Sequence, residues 1–591
     1  MPCHRDIIIG IDFGTTASGI GLLIPPYGRA GSILQDVDPF QSWGGPLTDQ
    51  GLVKAPSVLA YSRESSSLPM PHWGPGIPAP SIDLVSWFKL LLDEELDIEN
   101  SIREPQGWAD SRGILHIPEG MTALQVIADF LTCLHTVLWQ RLEVLMSRSG
   151  GNLDTTTIQF WFTVPALWSD PARALMREAI GNANFGTRHG DQVHLLTEPQ
   201  AAMKFALAAV PSLTTGDGVI ICDCGGGTVD LASYHISHDN PFIFDELARS
   251  NGELCGSTFI DRGFYQLMCE RFGDAFQSLP SEDINPSSRF MGDFERTKCE
   301  FGQSTAKVHQ IRLEMSPQKL SDARWYDKRR RSVLLSDDDL KGLFHPVVQG
   351  VVNAIQRQIE EANNSAREIV INRIVLVGGF SLSHYLYRSV LEQLGSGCEI
   401  RRPDNGIMAV ALGAVLWGSG ACRPRTRVVR CHYGFQGPIL TDQPLKSETA
   451  LVDAMSSLTS QASRLYWVIN KGERYHANDV HEQSGVLLHR HGDTAIKTIT
   501  ICCSDRDPPP TSVNDTGAVL IGRLICDISR VHLPNCLHFE VDRQLHYFLG
   551  YQIRVQLGEC GGLLHFEVTC QGETLGNGEV KVDYFRNAAR N

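Results

Sequence analysis

No two of the chain's sixteen cysteines stand in a C-x-x-C spacing. Zinc ribbons and thioredoxin-type redox sites therefore have no support, and most thiols read as small core residues in a reducing compartment. No stretch approaches the roughly 18 apolar residues that span a bilayer. The start, MPCHRDIIIGIDFG, has a short apolar run broken by Asp12 and reads as a poor signal peptide. Positive charge is scarce: 52 Lys and Arg stand against 67 Asp and Glu, a net charge of −15. That balance disfavours a general binder of nucleic acid or anionic membrane. No short internal repeat is visible. With 591 residues and 42% hydrophobic content, several domains are expected, in a soluble, cytoplasmic protein.

What the chain does contain is one device used twice. Val219 to Ser233 reads VIICDCGGGTVDLAS: an apolar strand, Asp223, the turn Gly225-Gly226-Gly227-Thr228, and a second strand carrying Asp230. Bare N–H groups beside hydroxyls make a cradle for phosphate oxygens, and flanking carboxylates could hold Mg²⁺ through water. Alone, this is also an ordinary glycine-rich hairpin. Ile7 to Gly21, IIIGIDFGTTASGIG, repeats the pattern, with Asp12 before a Gly14-Thr15-Thr16 turn. Two such hairpins suggest two similar half-domains gripping one nucleotide from both sides.

The paired hairpins resemble the phosphate motifs of the actin, sugar-kinase and heat-shock ATPase superfamily. The fold class implied is α/β: a duplicated actin-like, ribonuclease-H-like ATPase with two nucleotide-binding lobes, residues 1–215 and 216–420. Further motifs narrow the resemblance to the seventy-kilodalton heat-shock chaperones. KAPSVLAY (Lys54 to Tyr61) resembles their first-lobe TPS strand. Lys89, within LVSWFKLLL, matches a lysine that meets the γ-phosphate and the attacking water; on residue pattern alone it reads equally as a lysine on an amphipathic helix. TIQFWFTVPALWSDPARALMR keeps the family's VPA turn and the spacing of Pro165 and Arg173, though a proline at a helix start would look the same. Glu198, in LLTEPQAAMKF, matches a glutamate near the metal, or is a helix-start charge; Ala201 and Ala202 would allow close helix crossing.

In the second lobe, GELCGSTFIDRGF opens a helix, with Ser257 or Thr258 as N-cap. Glu295 and Lys298, in FERTKCEF, match the pair that holds the ribose, or form a solvated i, i+3 ion pair. Cys299 stands where the family usually has an arginine stacked on adenine, which puts base binding in question. Gly378-Gly379 of RIVLVGGFSLSHY resembles the adenosine motif, in the form used by the divergent twelve-type branch, which includes many filamentous-fungal proteins. Asp404 would lie near the adenine pocket. Lys328 to Arg331, KRRR, reads as a solvated loop or a nuclear signal giving nuclear access.

After Gly418 the resemblance fades. Residues 421–591 read as a mainly β domain with no helical segment for a lid, a reduced site for a protein client or partner. The resemblance implies ATP and ADP with Mg²⁺ as cofactors, and nucleotide-exchange or co-chaperone partners. It assigns the metal to Asp12 and Asp223 through water. Asp12, Lys89, Glu198, Asp223, Asp230 and Thr228 would carry slow hydrolysis. Gly14, Thr15, Thr16, Gly225, Gly226, Gly227, Glu295, Lys298, Gly378, Gly379 and Asp404 would hold the nucleotide. Two other functions stay open: a nucleotide-sensing scaffold with little turnover, and a small-molecule kinase, for which no sugar or acid pocket signature is present.

Overall fold

The computed structural model describes residues 6–24, 33–41, 43, 52–62, 71–74, 77, 82–96, 114–115, 117–149, 151–239, 242–303, 307–316, 324–365, 369–420, 426–429, 431–437, 463–476, 479–541, 543–557 and 563–581. It forms two units, one of residues 1–244 and 250–423, the other of residues 245–249 and 424–591.

Two five-strand arrays follow, of which residues 245–249 are counted with the second unit and the rest with the first. The strands of one are β1 (Ile7–Asp12), β2 (Ala17–Leu23), β3 (Asp38–Pro39), β4 (Ile158–Val164) and β5 (Gln192–Thr197). Those of the other are β6 (Gly218–Cys224), β7 (Val229–Asp239), β8 (Phe242–Glu253), β9 (Ile371–Val377) and β10 (Glu399–Arg401). Their spatial orders are β3-β2-β1-β4-β5 and β10-β9-β6-β7-β8. These are the same order: third, second, first, fourth, fifth. The senses repeat as well. β1 lies antiparallel to β2 and parallel to β4, and β6 lies antiparallel to β7 and parallel to β9. The duplication expected from two hairpins is therefore a duplication of whole sheets. This is the two-lobed actin-like arrangement.

Both first strands are buried at every residue, not on alternate faces. Continuous apolar strands result when helices cover both sides of a sheet. The main helices are α1 (Ala123–Ser149), α2 (Asp170–Asn182), α3 (Glu198–Ala209), α4 (Thr258–Phe272), α5 (Arg289–Glu300), α6 (Asp337–Ser365), α7 (His384–Leu394) and α8 (Ala409–Gly418). Ile127, Phe130, Leu131 and Leu134 of α1 pack on Ile7, Ile9 and Ile11. On the other face, α3 and α8 join Ile8 and Trp161 of the first sheet to Val219, Ile221, Val375 and Val377 of the second in one core. A Cβ on Gly413 would lie 1.9 Å from the Ala201 carbonyl oxygen, so the close helix crossing expected from these small residues is present.

LVSWFKLLL is not one helix. A strand, Ile82–Ser86, runs into a left-handed Trp87 (φ 59) and a short 3₁₀ turn, Phe88–Leu92. Phe88, Leu90 and Leu92 are all buried, so the run has no solvated face to give it a helical stripe. Ser257 stands at the N-cap of α4, as expected, and its side chain makes no cap hydrogen bond.

The second unit is a β-sandwich. One sheet has the order Leu465–Ile469, His432–Gln436, Ile496–Ser504, Val519–Asp527. The other has the order Val480–Arg490, Gln544–Leu557, Leu563–Cys570, Glu573–Lys581, with Leu537–Val541 also paired to Gln544–Leu557. Phe435, Ile501 and Leu524 of one meet Leu549, Ile553, Phe566 and Val568 of the other in a single core. Asp245 pairs with Thr426, and Thr426–Val428 pairs in turn with Arg474–His476. This unit has no α-helix among its described residues. No helix among the described residues is long and apolar enough to cross a membrane.

Candidate functional site

The two hairpin turns face each other across a cavity of about 280 Å³ within the first unit. A Cβ on Gly226 would lie 2.6 Å from Thr16 Oγ1, and one on Gly227 would lie 2.6 Å from Thr15 Oγ1. Any side chain there would wedge the turns apart. The second turn also carries the start of α4: the Ser257 and Thr258 amides donate to the Gly225 and Gly226 carbonyls at 3.2 and 2.8 Å.

Carboxylates and ammonium groups gather at this end. Asp12 ends β1, and Asp223 lies near the end of β6, in equivalent places of the two sheets. Lys54 Nζ lies 2.6 Å from Asp12 Oδ2. Lys89 is 3% exposed, and its Nζ lies 2.6 Å from Glu198 Oε1. The Lys89 ammonium also sits over the Phe13 and Trp168 rings, 5.7 and 5.5 Å from their centroids. Lys89 is thus a buried cleft group, not a surface lysine. Asp230 accepts from Thr228 Oγ1 at 2.7 Å and from the Ala166 amide at 2.6 Å. Ala166 belongs to the VPA turn, so that bond ties the first lobe to the second. Arg173 donates to the Trp168 and Ala166 carbonyls at 3.2 and 3.4 Å, which holds the same turn in shape.

Crowding these acids out of water raises their proton affinity. Burial pushes Glu198 up to about 8 against the pull of Lys89, with Asp230, Asp12 and Asp223 adding to the rise. Burial, then Asp12 and Asp230, push Asp223 up to about 7. Asp230 is raised by burial although its hydrogen bonds oppose it. Burial also penalises the Lys54 ammonium, but the charge and hydrogen bond of Asp12 outweigh this and hold its pKa above the ordinary value.

The other end of the cavity is mixed. Lys298 Nζ lies 2.7 Å from Asp261 Oδ1 and 2.7 Å from Glu295 Oε2. Glu295 and Lys298 both line the cavity, with Cys299 beside them. Ile260, Phe344, Phe380, Leu382 and Ile407 supply apolar wall. Gly378 has φ +82, and a Cβ there would lie 2.2 Å from Asp223 Oδ1. Only glycine can make this turn and let the adenosine-type loop touch the phosphate-type hairpin.

The cavity therefore brings together Asp12, Gly14, Thr15, Thr16, Lys89, Glu198, Asp223, Gly225, Gly226, Gly227, Thr228, Glu295, Lys298, Gly378 and Gly379. Asp230 lies just behind the lining, joined to it through Thr228. Asp404 is exposed and outside the lining; Ile407, from the same loop, faces the cavity instead. Sequence reasoning missed Lys54. KAPSVLAY reads only as a strand, and nothing in that pattern tells which way its first side chain points.

Oxygen donors of this type suit Mg²⁺. At Asp223 they fit: no side-chain hydrogen bond or ion pair reaches it among the described residues. At Asp12 they do not fit as well, because Lys54 already supplies the counter-charge. No cluster of His, Cys, Asp and Glu among the described residues forms a metal cage by itself.

A family model described as Hsp70 protein matches residues 137–423. Human heat shock 70 kDa protein 12B is 22% identical over 515 residues, covering 72% of this chain and 71% of that protein. Mouse heat shock 70 kDa protein 12A is 21% identical over 351 residues, 47% of this chain and 51% of that one. A chaperone protein HscA homolog of Haemophilus influenzae is 24% identical over 425 residues, 70% of this chain and 58% of its own length. Against the latter two, the match spans little more than half of the relative.

Proposed function

We propose that this chain, a divergent Hsp70-like protein, binds ATP and ADP in the cleft of its first unit and hydrolyses ATP slowly. Nucleotide state then biases a protein client or partner site in the β-sandwich. The observation that carries this reading is the pair of glycine turns facing each other, with buried carboxylates and ammonium groups at one end and the Glu295–Lys298 pair beside apolar wall at the other.

Each residue has a role in that reading. The Thr15, Thr16 and Thr228 hydroxyls and the turn amides hold phosphate oxygens. Lys89 neutralises charge on the terminal phosphate. Glu198, which holds a proton up to about pH 8, and Asp230, fixed by Ala166 and Thr228, orient the attacking water. Glu295 and Lys298 take the ribose, and Phe380 and Ile407 flank the base. Asp223 would hold Mg²⁺ through water, and Mg²⁺ when bound offsets phosphate charge.

The test is single-turnover hydrolysis of ATP with Mg²⁺ by wild type, Lys89→Ala and Asp12→Asn. Turnover by wild type alone, with nucleotide bound by all three, is the expected result. Equal binding without turnover in any of them would replace this reading with a nucleotide-sensing scaffold. Cys299 in the base-side wall, in place of a stacking arginine, is the observation that favours that second reading.

A further inference from the structure

We infer that Lys54 is a built-in cation that makes nucleotide binding largely independent of Mg²⁺, so that metal is needed for turnover but not for occupancy. The inference rests on the nucleotide reading of the cleft and deepens it.

The position of Lys54 is fixed from three directions. The strand that follows it, Ala55–Pro56, is registered against β2, with Ala17 opposite Pro56 and Ser18 opposite Ala55. The next polar residue, Ser57, is stitched to the first phosphate-type turn. Its amide donates to the Thr16 carbonyl at 2.9 Å, and its hydroxyl donates to the Gly14 carbonyl at 2.7 Å. The Ser57 and Ser18 hydroxyls lie 2.8 Å apart. The lysine stem then passes over β2 where Gly19 leaves room: a Cβ there would lie 3.1 Å from Lys54 Cε. The ammonium ends among cavity-lining groups, 2.6 Å from Asp12. A side chain held this way is preorganised with the turn it serves.

Charge counting gives the reason. Asp12, Glu198, Asp223 and Asp230 are buried around this end of the cavity, and Lys54 and Lys89 are the ammonium groups among them. Lys89, held 2.6 Å from Glu198, is assigned to the terminal phosphate and does not serve the first turn. Without Lys54, the Asp12 carboxylate would face the incoming phosphates uncompensated, and an added divalent cation would be obligatory. With it, the field at the first turn is neutralised by the protein itself, and phosphate oxygens can approach Thr15 and Thr16 before any metal arrives. Asp223 keeps its free carboxylate, so metal can still join the bound nucleotide for hydrolysis.

The experiment is a titration of the full chain with fluorescent ADP, once with Mg²⁺ and once with excess chelator, for wild type and Lys54→Gln. The expected result is a wild-type Kd that changes less than about threefold on chelation, and a Lys54→Gln Kd that weakens by about tenfold or more under chelation alone. Loss of about tenfold or more in wild type on chelation overturns the inference and leaves the nucleotide reading standing. Indifference to chelation in both proteins overturns the assignment to Lys54. Failure of wild type to bind in either buffer overturns both readings. The wild-type comparison needs no variant, so a folding defect in Lys54→Gln, checked by its melting curve, does not blunt the test.

Discussion

Glu198 shows what burial does to one side chain. It begins α3, where a helix N-terminus welcomes negative charge, yet it sits 6% exposed among other acids. Its carboxyl rises from the ordinary 4.5 to about 8. Between those values the folded chain holds a proton that the unfolded chain has lost. The stability Glu198 contributes is therefore present below pH 4.5 and is lost as pH rises through about 8. The expected result, without nucleotide, is a melting temperature that falls from about pH 5 to about pH 9, with a shallower fall in Glu198→Gln. Scanning calorimetry across that range checks it; parallel slopes would refute the assignment. The residue type and its place before proline were legible in the sequence. Its proton affinity was not, because it is set by burial and by Lys89, Asp230, Asp12 and Asp223, which the chain supplies from three other segments.

At the level of elements, the crossing of α3 and α8 is the contact that most constrains the first unit. α8 reads AVALGAVLWG, with no polar face, and is buried along nearly its whole length. Its backbone reaches that of α3 because Gly413 has no side chain to meet Ala201. Gly413→Val must move one helix, and overpacking of this kind costs about 1–3 kcal/mol. Urea denaturation should show that loss; an unchanged midpoint would mean the crossing is looser than described. Small residues at both positions made this crossing readable from the sequence. The segment around Lys89 was not readable in the same way. Its apolar run suits a helix, a strand or a buried turn, and only the surrounding core of Phe13 and Phe130 selects the strand and 3₁₀ turn.

At the scale of the whole molecule, the second unit takes one strand from the middle of the chain. Asp245–Arg249 belongs to it, far in sequence from residues 424–591. Thr426 Oγ1 donates to Asp245 Oδ1 at 2.9 Å, and the Val428 amide donates to Glu246 Oε2 at 3.1 Å. Arg474 adds a bond to the Leu247 carbonyl at 3.0 Å. A fragment of residues 424–591 loses all three, each worth about 0.5–1.5 kcal/mol. It should unfold at lower denaturant than the same region in the full chain. Trp467, the sole tryptophan of that stretch, reports the transition in the fragment; an equal midpoint would show that the borrowed strand adds nothing. A boundary drawn at residue 421, where the resemblance fades, had no means of finding that strand.

The sequence by itself determined the duplicated α/β fold, the two phosphate-type turns and the β character of the last third. The turns and the β character rest on local pattern, consecutive glycines and alternation along a strand, and the fold on the resemblance that the paired motifs carry. Tertiary structure alone decided that Lys54 reaches Asp12, that Lys89 is buried against Glu198, that Asp230 holds the VPA turn, and that Asp404 stays outside the cavity. Local pattern fixes which backbone a segment adopts. The partner of a charged side chain depends on where distant segments cross, and that is set only when both sheets and their shared helices have packed.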